Sequence, residues 1–221
     1  MSNKKRYFII VSHCLLNPAT RVHALGRRFE MAEKICDYFL SRKISIIQLP
    51  CPEFTAMGYM RNPQGRQQYN NVFFKKHCRE ELENYVDMIE ELINNKNTLL
   101  CFIGIGGSPT CSINWGKHKI NKYKTESIMP IEEAQHAEDY YETFCCDVVP
   151  NQGKKVLEQK EDMGKIKSSY GVMTAVLDEM LKERGIVIPY LEAPVKEDIA
   201  SEKVKRFMDS LDDLFESHSD K

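Results

Sequence analysis

No apolar run in this sequence is long enough to cross a membrane, for which about 20 consecutive apolar residues are needed. The start, "MSNKKRYFII", has only a short apolar stretch after its basic residues, so a secretory leader is not indicated. An excess of one charge is also lacking, because 31 basic against 32 acidic residues leave a net charge of −1. Such a balance gives no general attraction to nucleic acid or anionic lipid. We therefore expect a cytoplasmic protein with no nucleic-acid or membrane partner.

The chain has cysteines, but none of the spacings that usually explain them. There is no CxxC pair and no Cys/His spacing of the zinc-finger type, and a disulfide framework is not expected in the cytoplasm. A metal-binding or catalytic use of some thiols is therefore the better expectation. The eight cysteines are at positions 14, 36, 51, 78, 101, 111, 145 and 146.

Short apolar runs alternate along the chain with longer amphipathic stretches. The runs predict strands at residues 6–13, 44–50, 97–105 and 186–192. The apolar spacing of the longer stretches predicts helices at residues 27–43, 67–95, 170–185 and 197–218. This alternation predicts a single three-layer α/β domain, with a mainly parallel, Rossmann-like sheet covered by helices on both faces.

The stretch from about 112 to 168 does not fit this alternation. It is polar, weakly periodic and too long for an ordinary loop between a strand and a helix. We expect an insert that forms a lid, a substrate wall or a partly helical decoration. The adjacent cysteines 145 and 146 lie in it, and no redox role is assigned to them.

Three cysteines each follow a predicted strand. Cys14 lies in "VSHCLLNPATR", Cys51 in "QLPCPEF" and Cys111 in "GIGGSPTC". Because the loops that leave the carboxyl ends of parallel strands lie at one edge of the sheet, we expect these thiols to meet there. Coincidence is one interpretation. A zinc ion bound by the thiolates with His13, His77 or water is another, and an iron–sulfur cluster is the third.

The same three loops resemble the signatures of the thiouracil desulfidase family. The matching segments are "VSHCLLNPATR", "CPE" at 51–53 and "GGSPTC" at 106–111, in this order and each after a predicted strand. The resemblance covers roughly residues 1–112 and the "YGVM" helix. It implies a [4Fe-4S] cluster held by Cys14, Cys51 and Cys111, with one iron left open. It also implies a non-redox reaction in which water replaces the sulfur of a thiolated nucleobase or a related thio compound.

The resemblance further implies catalytic roles for Glu53 and Ser108. Coordination of a C=S sulfur to iron makes the carbon electron-poor, and the attacking water then needs a base, a role that suits Glu53 beside the rigid Pro52. The alternative interpretations are a loop hydrogen-bond acceptor for Glu53 and an ordinary turn serine for Ser108. Further side chains near the first and third motifs are candidates for substrate binding, although structural roles remain open for them. They are Ser12, His13, Arg21, Asn114 and Trp115.

Two segments depart from the family's pattern. Ser112 stands where a glycine often follows the third cysteine, and "FTAMGYMRNP" replaces a glycine-rich segment with a proline–arginine pair. Both lie beside the expected substrate site, so a different ring size or a non-nucleobase thio compound would fit. Two other functions stay open: a cluster-binding or sulfide-binding protein without turnover, and a cofactor-free enzyme with a cysteine nucleophile.

Overall fold

The structure, a computed structural model, describes residues 6–22, 29–115 and 170–219. Its sheet has four strands in the order β2-β1-β3-β4, and all neighbouring strands run parallel. The strands are β1 (Arg6–Val11), β2 (Ser45–Gln48), β3 (Asn97–Ile105) and β4 (Tyr190–Ala193). The predicted parallel sheet is therefore confirmed. Most of the predicted insert, with Cys145 and Cys146, lies outside the described residues.

Seven α-helices and one short 3-10 turn, Pro18–Thr20, connect or follow these strands in the described part of the chain. The helices are α1 (His13–Leu16), α2 (Glu30–Ser41), α3 (Pro52–Met57), α4 (Arg66–Tyr69), α5 (Val72–Asn94), α6 (Val172–Glu183) and α7 (Glu202–Ser219). None of the described helices is long and apolar enough to pass through a membrane.

The two faces of the sheet carry separate apolar cores. On β1, Phe8 and Ile10 point to the core that contains the apolar sides of α5 and α6. Ile9 and Val11 point to the opposite core, with α2 and α7. Because successive strand side chains alternate between faces, a strand that is apolar throughout must be covered on both sides. The chain therefore has the predicted three-layer α/β architecture.

Several element boundaries differ from the sequence prediction. The first strand ends at Val11 rather than at 13, because α1 begins at His13, and α7 begins at Glu202 rather than at 197. The fourth strand begins at Tyr190 rather than at 186, because the Ile186 N–H still donates to the Leu181 carbonyl at the end of α6 and Pro189 has no N–H. The helix predicted over 67–95 is two helices, α4 and α5. Asn71 separates them, since its side chain accepts a hydrogen bond from the Phe74 N–H (2.9 Å) and caps α5.

The strand order explains where the site forms. The chain leaves β1 towards β2 on one side and later returns to place β3 on the other side of β1. Loops after β1 and β3 therefore diverge, and such a switch point leaves a crevice at the carboxyl edge of a parallel sheet. The Cys14 and Cys111 loops flank this crevice, and the Cys51 loop follows the neighbouring β2.

Candidate active site

Each strand-end cysteine lies near the start of a helix. Cys14 is in the first turn of α1, and Cys51 is the residue directly before Pro52, which begins α3. Cys111 lies on the turn after β3, against the first residues of α6. The three thiols are close enough that Cys111 and Cys51 act on the pKa of Cys14, and Cys111 on that of Cys51. The structure therefore brings together the three cysteines that the sequence places at strand ends.

All three thiols have pKa values above the usual range. Burial raises the pKa of Cys51 to about 12 and that of Cys111 to about 11, and the nearby Glu53 adds to both shifts. Burial also raises the pKa of Cys14 well above its ordinary value, and the two neighbouring thiols raise it further, although part of this residue reaches solvent. The thiols are thus protonated at neutral pH when nothing is bound, and a metal would displace their protons.

The Cys111 turn is held by close backbone approaches at two glycines. A Cβ at Gly104 would lie 2.2 Å from the Cys111 carbonyl oxygen, and one at Gly171 would lie 2.4 Å from the Thr110 carbonyl carbon. The Ile105 N–H donates to that Cys111 carbonyl (3.2 Å). Glycine at both positions is therefore what lets the chain fold back and lock the cysteine against the sheet.

The start of α6 supplies hydrogen-bond donors to the same turn. The N–H groups of Val172 and Thr174 donate to the carbonyls of Pro109 and Thr110, each at 3.1 Å. The Gly171 N–H donates to the carbonyl of Ser112 at 2.8 Å. These contacts satisfy donors that a helix start leaves unpaired, and they place the positive end of α6 at the turn that carries Cys111.

Glu53 is buried between the second and third loops, and both carboxylate oxygens have partners. Oε1 accepts a hydrogen bond from the Thr110 hydroxyl (2.5 Å), and Oε2 accepts from Arg61 Nε (3.4 Å). The Thr110 hydroxyl is also 3.4 Å from Cys111 Sγ. A connected chain of polar groups thus runs from Arg61 through Glu53 and Thr110 to the third thiol.

Arg61 ties this chain to the first loop. Its guanidinium is buried and donates from Nη2 to the Thr20 carbonyl (2.8 Å) and from Nη1 to the Gly58 carbonyl (3.1 Å). Tyr69, at the end of α4, lies on the same side: burial raises its pKa, and Glu53 raises it further. The Tyr69 hydroxyl has no partner in normal hydrogen-bonding geometry among the described residues.

Ser108 shapes the Cys111 turn. Its Oγ accepts hydrogen bonds from the N–H groups of Thr110 (3.3 Å) and Cys111 (3.0 Å), and it lies 3.3 Å from the Thr110 hydroxyl. Ser108 therefore acts as an ordinary turn serine, which was the alternative interpretation of this residue. The same contacts place the Ser108 hydroxyl directly beside the third thiol.

The candidates near the first motif are mostly engaged with the protein. His13 Nδ1 donates to the Leu49 carbonyl (3.2 Å), and its Nε2 lies 3.5 Å from the Asn17 side-chain amide. Arg21 Nε donates to the Cys14 carbonyl (3.2 Å), and burial lowers the pKa of its guanidinium while the nearby Cys14 thiol raises it. Ser12 is fully buried. His13 and Arg21 thus fix the first loop to β2 and to its own cysteine.

Asn114 and Trp115 are half-buried at the end of a described range. The N–H groups of Ile113 and Asn114 both donate to Glu192 Oε2, at 2.8 and 3.0 Å. Glu192 lies on β4, at the same edge of the sheet. It holds the chain that leaves the Cys111 turn, a role that the sequence reasoning did not assign to it.

A fourth thiol, that of Cys78, lies near the site, and the sequence analysis did not place it there. It is fully buried inside α5, and after burial the largest influence that raises its pKa is Cys111. The signal was available, because Phe74, Cys78 and Leu82 recur every four residues on the apolar side of the helix. Arg61 and Thr110 were also missed as hydrogen-bond partners of Glu53, and Tyr69 was missed as its neighbour.

The three thiols lie near one another but do not form a site for a single metal ion among the described residues. In the described ranges, no group of three or more His, Cys, Asp or Glu side chains is arranged to hold one metal ion. The His77 ring, considered above as a zinc ligand, has its Nε2 2.8 Å from the Thr55 hydroxyl. The arrangement therefore does not form a tetrahedral zinc site of three thiolates and a histidine.

Fold and site together define a three-layer α/β protein with three thiols at the switch point of a parallel sheet. The family model described as "Putative 2-thiouracil desulfurase" matches residues 6–130. The chain belongs to this family, which confirms the resemblance in its three motifs. An uncharacterized protein of Methanocaldococcus jannaschii, MJ0003, is 31% identical over 110 residues, which are 50% of this chain and 70% of that protein. No solved structure gives a significant match.

Proposed function

We propose that the protein is a [4Fe-4S]-dependent desulfidase that exchanges the sulfur of a thiolated nucleobase, or a related thio compound, for oxygen from water. The convergence of the Cys14, Cys51 and Cys111 thiols beside the buried Glu53 carries this proposal. The description of the family model supports the substrate class. In the balanced reaction, a C=S compound and water give the C=O compound and hydrogen sulfide, with no transfer of electrons.

The donor set supports a cluster better than a single ion. Three thiolates are soft ligands that can each bind a different iron of a four-iron cluster, which leaves the fourth iron without a protein ligand. When bound, such a cluster would supply a Lewis-acidic iron that polarises the C=S bond. The buried hydroxyls of Ser12, Tyr69 and Ser112 lack partners among the described residues, and the sulfur atoms of a bound group would supply acceptors for hydroxyls of this kind.

In this proposal Glu53 handles the proton of the attacking water. Thr110 and Arg61 fix the carboxylate from both sides, so it cannot turn away from the thiols. Oε2 is the oxygen with the longer protein contact, at 3.4 Å, and it is the atom that we assign to accept the proton. Ser108 holds the Cys111 turn and keeps its hydroxyl beside the reacting group.

The raised thiol pKa values argue against a cofactor-free cysteine nucleophile. Attack by cysteine needs the thiolate, and reactive cysteines usually have a lowered pKa. Burial raises the pKa of Cys111 to about 11, which leaves little thiolate at neutral pH. The thiols therefore suit metal ligands, whose protons leave when the metal binds.

The proposal is tested by turnover of 2-thiouracil after anaerobic loading with iron and sulfide. The loaded protein should release uracil and hydrogen sulfide in equal amounts. Glu53→Gln should keep its iron and lose about 10²- to 10⁴-fold in kcat, the usual effect of removing a general base. Glu183→Gln is the matched control. Glu183 is an exposed residue at the end of α6, where it pairs with Arg79 of α5.

Two results would contradict the proposal. If the loaded protein converts neither 2-thiouracil nor other C=S compounds of similar size, the desulfidase function is wrong. If Glu53→Gln retains full kcat, a different group accepts the proton from water.

A further inference from the structure

We infer that Glu192 is a positioning residue for substrate binding. It fixes the chain that leaves the Cys111 turn, and it thereby places Trp115 at the crevice, where the flat ring of the substrate stacks on the indole. The inference rests on the proposed function for the identity of that ring, but not for the placement of Trp115.

Glu192 lies directly against the loop that carries the third thiol. In the sheet it is paired with Gly104 of β3, and its Oε1 would be 3.3 Å from a Cβ at Gly106. Gly104 has no room for a side chain, because the Cys111 carbonyl oxygen and the Ile113 side chain occupy that space. The loop therefore folds back onto the end of β3, within reach of the carboxylate on β4.

The carboxylate makes the last contacts that fix the chain before Trp115. Glu192 Oε2 accepts hydrogen bonds from the N–H groups of Ile113 (2.8 Å) and Asn114 (3.0 Å). Hydrogen bonds to a carboxylate are stronger than those between neutral groups, and two consecutive donors on one oxygen fix the direction of the backbone. Trp115 is the next residue, so its position depends on Glu192.

Trp115 is within reach of a ring that is bound beside the thiols. It follows Cys111 by four residues, so the two Cα atoms are at most about 14 Å apart even if the chain between them is fully extended. The indole is long and flat, and aromatic side chains of this kind stack on nucleobase rings whatever their substituents. The residue is half-buried, which leaves part of it accessible to a ligand.

The first test follows Trp115 in the unloaded protein by acrylamide quenching of its fluorescence, since it is the only tryptophan in the sequence. Glu192→Met keeps the length of the side chain but loses the carboxylate acceptor, so Trp115 should be quenched more strongly than in the wild type. Glu192→Gln keeps an oxygen that accepts from both N–H groups and should resemble the wild type. Glu197→Met is the matched control, because Glu197 follows β4 and pairs with Lys203 instead; it should also resemble the wild type.

The second test measures KM and kcat of the loaded protein with 2-thiouracil. Glu192→Met should keep its iron and its kcat and raise KM about tenfold, which is within the range for loss of one aromatic stacking partner. Trp115→Ala should raise KM to a similar extent. The double variant should be no worse than Trp115→Ala, because Glu192 acts through Trp115.

Unchanged quenching of Trp115 in Glu192→Met would overturn the inference. So would additive effects of the two substitutions on KM, or a loss of kcat or iron in Glu192→Met in place of the rise in KM. If Glu192→Met does not fold, Gly106→Ala presses a Cβ against the carboxylate and should raise both the quenching and KM.

Failure of the proposed function is recognised separately. If the loaded wild-type protein converts no C=S compound, calorimetric binding of 2-thiouracil replaces KM as the measured quantity. Binding without turnover that is about tenfold weaker in Glu192→Met would support the inference and contradict the proposed function. No binding by the wild-type protein would overturn both.

Discussion

Glu53 and Arg61 form an ion pair at 3.4 Å, with only 8% and 3% of their side chains exposed. Taking both charges out of water is costly, and the pair is tolerated because Thr110 and two backbone carbonyls complete the hydrogen bonding. Such a pair is a weak source of stability as a whole. Removal of one partner, however, leaves an uncompensated buried charge.

We predict that Arg61→Met destabilises the fold by about 3–5 kcal/mol, the range for breaking a buried pair from one side. Arg66→Met should lose only about 1 kcal/mol, because Arg66 is half-buried and donates to one carbonyl, that of Tyr170. Urea unfolding of the unloaded proteins measures both values. Equal losses of stability in the two variants would show that the buried Glu53 carboxylate does not need Arg61 to compensate its charge.

A second variant separates the charge from the packing. Glu53→Gln in the Arg61→Met background removes the unpaired charge, so the double variant should be more stable than Arg61→Met alone. If the double variant is the less stable of the two, the loss in Arg61→Met comes from packing and hydrogen bonds rather than from charge.

At the scale of single residues, the sequence predicted the site residues that directly follow a strand. It missed the site residues that lie in irregular segments. Cys14, Cys51, Cys111 and Glu53 could be found, because a parallel sheet delivers strand-end loops to one edge. Arg61 and Tyr69 could not be placed, since the segment between α3 and α5 has no period from which its path follows. Thr110 adjoins Cys111, but its contact with Glu53 depends on how two distant loops approach.

Among the elements, the Cys111 turn and the start of α6 are in close backbone contact at Gly171. Gly171 has an ordinary φ of −56°, so alanine there would be acceptable to the backbone by itself. Its Cβ would nevertheless lie within 2.4–2.8 Å of backbone atoms of Thr110 and Cys111. The turn or the helix would have to move, and both carry the site.

We predict that Gly171→Ala destabilises the unloaded protein by about 1–3 kcal/mol, as overpacking does, and lowers the amount of iron that it binds. Gly185→Ala is the matched control: its φ of +70° costs an alanine about 1–2 kcal/mol, but no atom lies within 4 Å of the new Cβ. The two variants should thus lose similar stability, while only Gly171→Ala loses iron. Normal iron content in Gly171→Ala would show that the turn does not need this close contact.

The element boundaries show where periodicity is informative. The predicted range of β3, residues 97–105, matches the structure, because a continuous apolar run has polar chain at its start and glycines at its end. The pattern did not show that α4 and α5 are separate helices. Apolar residues continue through the break, and the side-chain cap by Asn71 ends the pattern locally.

For the whole molecule, the order of the strands determines the site more than any single motif does. The alternation of strands and helices predicted a parallel sheet, but not the order β2-β1-β3-β4, because order depends on which way each connection turns. That order puts the loops of β1 and β3 on either side of one crevice and the loop of β2 beside it. Three short motifs that are far apart in sequence thus become one site.

The central claim is that Cys14, Cys51 and Cys111 hold one iron–sulfur cluster. The most direct test is the iron and acid-labile sulfide per chain after anaerobic loading. We predict about four of each for the wild-type protein, and the same for Cys78→Ala, which removes a buried thiol from the neighbourhood of Cys111 without removing a ligand. The triple variant Cys14/Cys51/Cys111→Ala should bind none. Full loading of the triple variant, or no iron in the wild-type protein, would contradict the account.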